Sequence, residues 1–341
     1  MIQQADVAII GAGPVGLFAI FECGMMRLKC HVIDSLEMVG GQCAALYPEK
    51  PIYDIPGFSK ILSADLIENL KKQAEPFEPI YHLGQQVVSL GKTEEGLFHI
   101  ETSKGTQMRA KAIVIAAGVG AFGPNRPPLV GIEAFEGKSV FYYVKTREDF
   151  RDKHIVIAGG GDSAVDWALS LSEVAKKITV VHRRPKFRAA PESEAQLKKL
   201  ADEGAIDLAI PYQLEGLKGK EGRLETVILK SLEGEIKEIA ADILLPFYGL
   251  AMDLGPIAHW GLQLSTTHIR VNPQDCSTNV PGIFAIGDIA TYSHKLKLIL
   301  TGFAEAAQAA HAIRSYLHPQ EAYHFEYSTT SGVPHLSAGV P

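Results

Sequence analysis

Uninterrupted apolar runs, glycine turns and segments of helical spacing divide the chain into two successive series. Val7-Ala8-Ile9-Ile10 is the first apolar run, the pattern of a parallel strand covered on both faces. It leads into Gly11-Ala12-Gly13-Pro14-Val15-Gly16, a helix, and a second apolar strand, Cys30-His31-Val32-Ile33, that ends at Asp34. Ala64 to Ala74 carries Leu66, Ile67 and Leu70 on one side at helical spacing. Three short strands are predicted at Gln86–Leu90, Leu97–Thr102 and Thr106–Ala110, joined through turns at Gly91, Gly96 and Gly105 as a meander. The run Ala112 to Ala117 restores the buried-strand pattern and stops at Gly118, after which Pro124, Pro127 and Pro128 mark a linker.

The second series begins near Lys138 and repeats the order. His154-Ile155-Val156-Ile157-Ala158 enters the turn Gly159-Gly160-Gly161-Asp162-Ser163-Ala164, followed by a predicted helix from Ser163 to Val174 and a strand at Ile178–Val181. A second meander is predicted from Ile206 to Ile239, with turns at Gly204, Gly219, Gly222 and Gly234, and Asp242 to Gly249 returns toward the linker. The last portion holds the buried run Gly282 to Ile286, closed by Gly287-Asp288, and an alanine-rich helix from about Thr301 to Leu317. The repeat is architectural, not a short solenoid period.

Composition narrows the class. At 341 residues, with 46% hydrophobic and 21% charged residues, the chain is long enough for two soluble globular domains. The net charge of −6 argues against a nucleic-acid binder. Residues 7 to 26 are apolar, but four glycines, Pro14 and Glu22 interrupt them and no Lys or Arg precedes them, so neither export nor membrane insertion is expected. Cys23, Cys30, Cys43 and Cys276 form no Cys-x-x-Cys and no metal spacing, which suits incidental thiols in a reducing cytoplasm and predicts no metal site.

The chemistry lies in the two turns. In Gly11, Gly13 and Gly16 the first glycine lets the chain bend, the second lets backbone approach a pyrophosphate, and the third lets helix pack on strand. The helix that follows directs its positive pole at the phosphates. An acid about 20 positions on accepts from ribose hydroxyls, and Asp34 stands there. The loop Gly40-Gly41-Gln42, leading to Tyr47-Pro48, lies where the rest of a long cofactor would run. The second turn has Gly159, Gly161 and, in the third glycine's place, Ala164, with Asp162 and Ser163 between them. Its following strand ends in His182-Arg183-Arg184-Pro185-Lys186-Phe187-Arg188 instead of an acid. Guanidinium forks there match the 2′-phosphate of NADP; a solvated basic loop is the other reading. One bound flavin nucleotide and one diffusing NADPH follow as the expected pair.

These motifs, in this order over nearly the whole chain, resemble the thioredoxin-reductase-like flavoproteins. The disulfide reductases of that group carry a Cys-x-x-Cys just ahead of the second nucleotide strand. Here the segment is Phe141-Tyr142-Tyr143-Val144-Lys145-Thr146-Arg147-Glu148-Asp149, and without a thiolate no dithiol can take electrons from the flavin. The branch without the pair is that of the thioredoxin-reductase-like ferredoxin–NADP reductases, which the Gly40 to Pro48 run and the C-terminal tail also resemble. The resemblance implies an α/β fold of two Rossmann-like dinucleotide-binding domains, each a parallel sheet with a β-meander, the second inserted in the first. The domains would be 1–121 and 247–341 for FAD, with 122–246 for NADPH.

By the same resemblance Asp34, Gln42, Tyr47, Val87, Phe122, Asp288 and Thr329 would contact FAD along with the first glycine turn. Tyr47 would stack on one flavin face, and a tail residue, Tyr327 or else His324 or His335, would cover the other. No side-chain nucleophile is required. The expected activity is electron transfer between NADPH and ferredoxin or flavodoxin, in a cytoplasmic homodimer. Lys295 and Lys297, or Lys145 and Arg147, are candidates for a positive docking surface toward an acidic ferredoxin. An NADPH-dependent diaphorase or quinone reductase, or a non-catalytic flavin- and NADP-binding redox sensor, remain as alternatives on sequence alone.

Overall fold

The structure, a computed structural model, describes residues 2–321 and Gly332, without the side chains of residues 121–123 and 250–252. The chain divides into two compact units, one formed by Met1–Phe122 with the segment from Met252 onward, the other by Gly123–Ala251. Residues 247–251, assigned to the first unit by the sequence reading, belong to the second.

The first unit opens with β1 (Gln3–Ile10), α1 (Pro14–Met25) and β2 (Cys30–Ile33), with β1 and β2 parallel. Every residue from Val7 to Ile10 is buried. Val7 and Ile9 enter the core shared with α1, while Ala8 and Ile10 enter a second core on the opposite face. Alternation of side chains across a sheet covered on both sides gives this result. Replacing the fully buried Ile9 by Ala would cost about 2–5 kcal/mol. α1 starts with Pro14 at its first position, where a missing N–H is harmless. It ends as Arg27 turns left-handed and Leu28 N donates to Cys23 O.

Next come α2 (Gly41–Ala45), a five-residue helix where the sequence suggested a loop, and α3 (Ser63–Ala74). Leu66, Ile67 and Leu70 of α3 are buried against α1's core. β3 (Ile80–His82) extends the parallel sheet beyond β2. β4 (Val87–Lys92), β5 (Phe98–Thr102) and β6 (Gln107–Ile115) form the meander. The two strands expected at Thr106–Ala110 and Ala112–Ala117 are one: the first half of β6 pairs antiparallel with β5, and the whole strand pairs parallel with β1. Lys111 does not interrupt it, because its ammonium reaches Asp6 at 2.8 Å at the sheet margin.

The chain crosses to the second unit at β7 (Ala121–Pro124). There β8 (His154–Ala158), α4 (Asp162–Leu171), β9 (Lys177–Val181) and α5 (Pro191–Asp202) lead to β10 (Ile206–Ala209). β10 pairs parallel with β9, so it belongs to the nucleotide sheet, not to the meander where the sequence reading placed it. The meander proper is β11 (Tyr212–Lys220), β12 (Arg223–Ser231) and β13 (Ile236–Ala240). β14 (Ile243–Pro246) returns beside β8, and β15 (Leu250–Asp253) pairs with β7 where the chain crosses back.

In the first unit again, β16 (Ile283–Ala285) adds a seventh strand, parallel to the second half of β6. α6 (Ile299–Leu317) then packs on α1, burying Ala306, Ala309, Ala310 and Ile313. The repeated small side chains let the two helices approach closely. Among the described residues no helix is long and apolar enough to cross a membrane.

Candidate functional site

The first glycine turn lies at the carboxyl end of β1, where parallel sheets place their ligands. Gly11 adopts φ +109°, and a Cβ there would stand 2.3 Å from Ala116 O. A Cβ on Gly16 would stand 2.0 Å from Gly11 O, so that glycine seats α1 against the turn. Gly13 differs: a Cβ there would meet nothing within 4 Å. The space beside it is open for a ligand, not filled by protein.

Asp34 follows β2 and is buried. Its Oδ2 accepts from Ala12 N at 2.6 Å and its Oδ1 from Leu36 N at 2.8 Å. Burial pushes its carboxyl above the usual range, against the opposing pull of these two N–H groups. It braces the turn, and each oxygen keeps a lone pair for a hydroxyl. Gly40 N donates to Ala12 O at 2.8 Å, which lays the start of α2 over the same turn.

A cavity of about 290 Å³ within the first unit joins these groups. Its walls bring together Gly11, Gly13, Asp34, Gln42, Tyr47, Val87 and Asp288 from the sequence-derived set. Gly16 stays behind the turn, in the helix packing. Phe122 lies on β7 with its side chain outside what the structure describes, and Thr329, Tyr327, His324 and His335 lie outside the described residues.

Other lining residues went unmarked in the sequence, Gln85 and Gln86, Ile257 and Trp260, and, beside the docking candidate Lys297 at the start of α6, Leu298 and Ile299. The last three put the positive pole of a 19-residue helix at the cavity. Tyr47 is mostly buried beside Cys43, and burial, then Cys43, pushes its phenol well up, so it stays neutral. The Cys43 thiol on the cavity wall is also pushed up by burial, which makes it an unreactive thiol.

Two of the four cations proposed for the docking surface, Lys295 and Arg147, are committed to internal contacts. Lys295 is buried and paired with Glu305. Arg147 donates to Ser170 O and Glu173, both at 2.6 Å, and Lys145 lies 5.5 Å over the Tyr143 ring. Lys297, 2.8 Å from His268 Nε2, is exposed at the cavity.

The second turn sits at the end of β8. A Cβ on Gly160 would lie 2.2 Å from the His182 ring, so the imidazole rests directly on the turn. His182 also stacks on Phe187, with centroids 5.3 Å apart, and its Nε2 is 3.2 Å from Lys186 O. Burial lowers its pKa first, with Arg184, Arg183 and Arg188 acting the same way against Lys186's carbonyl. The imidazole is therefore a neutral platform at pH 7.

Arg188 N donates to Gly160 O at 2.6 Å and Asp162 Oδ1 accepts from Ala190 N at 2.9 Å, so the C-terminal end of the basic loop is tied to the turn. Arg183, Arg184 and Arg188 are exposed around it, as are Asp162 and Ser163, while Ala164 is buried. Among the described residues no group of His, Cys, Asp or Glu is arranged to hold a metal ion.

Residues 5–313 match the family described as pyridine nucleotide-disulphide oxidoreductase. A ferredoxin–NADP reductase of Paramagnetospirillum magneticum is 62% identical over 97% of this chain and 98% of its own length. That of Rhodospirillum rubrum is 59% identical, over 98% of both chains. Among solved structures, Lactococcus lactis thioredoxin reductase superposes with a TM-score of 0.80 at 26% identity, covering 92% of this chain and 99% of its own. T. acidophilum thioredoxin reductase gives 0.81 at 25% identity, covering 92% of this chain and 98% of its own.

Proposed function

The chain belongs to the pyridine nucleotide-disulphide oxidoreductase family, and we propose that it is an FAD-dependent ferredoxin–NADP reductase, the activity named for its 62% identical relative. One observation separates this from the dithiol chemistry of its structural neighbours. All four cysteines lie in the first unit, free and buried, and the second unit has none. A thiol relay ahead of the second nucleotide strand is therefore impossible, and electrons must pass to an outside acceptor.

FAD suits the first cavity on steric grounds: Gly13 leaves room where a pyrophosphate would stand, and Asp34 offers lone pairs one strand away. Gly11, Gly13, Asp34, Gln42, Tyr47, Val87 and Asp288 would hold it. When bound, FAD supplies the chemistry of taking a hydride from NADPH and releasing single electrons. The chain binds, orients and excludes water. Tyr47 offers a neutral aromatic face, and the α6 N-terminus with Lys297 favours negative charge at the cavity's far end.

In the second unit Gly159, Gly161, Asp162, Ser163 and Ala164 would shape the pyrophosphate site for NADPH. Arg183, Arg184 and Arg188, held on the His182 platform, would fork onto the 2′-phosphate. Flavodoxin as a second acceptor, a homodimer as working unit, and a cytoplasmic location complete the reading; four free thiols suit a reducing compartment. The test is NADPH-driven reduction of cytochrome c through added ferredoxin. Turnover should require ferredoxin and fall sharply with NADH; a protein that binds no FAD, or oxidises NADPH equally without ferredoxin, would overturn it.

A further inference from the structure

Behind the cavity wall lies a buried ion pair that the electron-transfer reading leaves without a role. Glu305, on α6, is 1% exposed. Its Oε2 accepts from Gly287 N at 2.7 Å, and its Oε1 accepts from Tyr292 OH at 2.8 Å and from the Lys295 ammonium. The two side chains of the pair are 5% and 2% exposed. Gly287 and Asp288 themselves line the cavity, and Gly287 is in the left-handed region at φ +72°. Glu305 therefore grips, by one charge-assisted hydrogen bond, the turn that forms the cavity wall.

Stability alone gives little reason for the pair. Burying two charges costs roughly what their attraction returns, and apolar residues of similar size often serve as well. The carboxylate's field is nevertheless felt locally. Burial and then Glu305 push the Cys276 thiol up to about 12, and burial and then Glu305 also raise the Tyr292 phenol. A lone carboxylate one hydrogen bond behind the cavity wall would oppose electron uptake in the cavity. Lys295 cancels it in place.

We propose that the Lys295–Glu305 pair positions the Gly287–Asp288 turn and sets the reduction potential of the flavin, with Glu305 as the positioning residue and Lys295 as its neutralising partner. This rests on the assignment of the first cavity to FAD. Removing either charge should move the potential in opposite directions, because each removal leaves the other charge buried and uncompensated beside the cavity.

The experiment is a spectroelectrochemical titration of the FAD-loaded wild type, Lys295→Met, Glu305→Gln and the double variant, with thermal unfolding in parallel. Lys295→Met should lower the potential and Glu305→Gln raise it. Each should change the ratio of reduced- to oxidised-flavin affinity by about tenfold, about 30 mV for a two-electron couple. The double variant should return close to wild type. A purely structural pair would lower the unfolding temperature in all three and leave every potential where it was, which overturns the proposal. Should Glu305→Gln fail to fold, Lys295→Met and the double variant still decide by the fall and its reversal. A wild type that takes up no FAD would remove the underlying assignment as well, whereas a yellow wild type with unmoved variants removes only this inference.

Discussion

The two glycine turns follow the same strand pattern yet are closed in different ways. The first is braced from inside by a carboxylate, Asp34, that accepts from Ala12 N in the turn itself. It forms the floor of a cavity walled by several further segments of its own unit. The second is braced by a neutral imidazole, His182, lying on Gly160, with three arginines exposed around it. A turn enclosed by its own unit suits a resident cofactor, and a turn edged with exposed cations suits a reactant that comes and goes. The residue after the second strand decides which: an acid folds inward onto backbone N–H groups, and a histidine lets the charges that follow face water.

The largest effect should come from exchanging the third positions of the turns. Gly16→Ala puts a methyl 2.0 Å from Gly11 O and should abolish FAD retention, seen as colourless protein on purification. Ala164→Gly in the second turn removes a methyl that is already accommodated and should cost only about 1 kcal/mol by denaturant unfolding. Equal damage at both sites would refute the asymmetry. Gly13→Ala sharpens it further: the apoprotein should unfold at the wild-type temperature, because nothing lies within 4 Å, while FAD affinity falls at least roughly tenfold. Isothermal titration of the apoprotein reads that loss.

Next in size is Arg183→Ala or Arg184→Ala. A hydrogen bond to a charged group contributes about 1.5–3 kcal/mol, so the KM for NADPH should rise by about tenfold or more, with NADH turnover unchanged. A parallel rise with NADH would assign these arginines to the basic surface alone.

The smallest effect concerns acid. His31 and His82 are buried in the first unit, with Nδ1 of one 3.0 Å from Nε2 of the other. Burial lowers both pKa values, and His82 adds to the lowering at His31. The folded state then binds fewer protons than the unfolded chain, so this contribution to stability is present above about pH 6.5 and is lost as pH falls below it. The unfolding temperature of the first unit should decline from pH 7 to pH 5.5, and His31→Gln with His82→Gln should flatten the slope. A slope unchanged by the double variant would place the acid sensitivity elsewhere.

How much of this was legible beforehand follows the range of the interaction. Gly11, Gly16 and Gly159 are dictated by contacts within a few residues or with the adjacent strand, and the sequence marks them because no other side chain fits. The parallel strands are legible for a similar reason, since burial on both faces demands unbroken apolar runs. Ile257, Trp260 and Leu298 reach the cavity from distant segments, and nothing local distinguishes them from ordinary core residues.

Lys295 read as surface because lysine usually is. Its burial depends on Glu305, ten positions on. A signal for Glu305 did exist: a lone carboxylate beside Ala306, Ala309, Ala310 and Ile313 on the apolar side of α6 must find a partner. α5, which the sequence reading passed over, carried a signal as well, with Pro191 at its first position and Glu192 and Glu194 in its first turn.

The discontinuity of the first unit has a consequence during synthesis. The inserted unit ends at Ala251, so its sheet and meander are complete while the outer unit still lacks β16 and α6. Translation at about 5–20 residues per second leaves an interval of several seconds before α6 emerges. Until then Ile113 to Ile115 of β6 have no β16 to pair with, and the side of α1 that α6 will cover faces solvent. An unpaired strand edge is a template for other chains. The nascent outer unit is therefore the part of this protein with most need of a chaperone, and its glycine turn cannot gain its last wall until nearly the whole chain has left the ribosome.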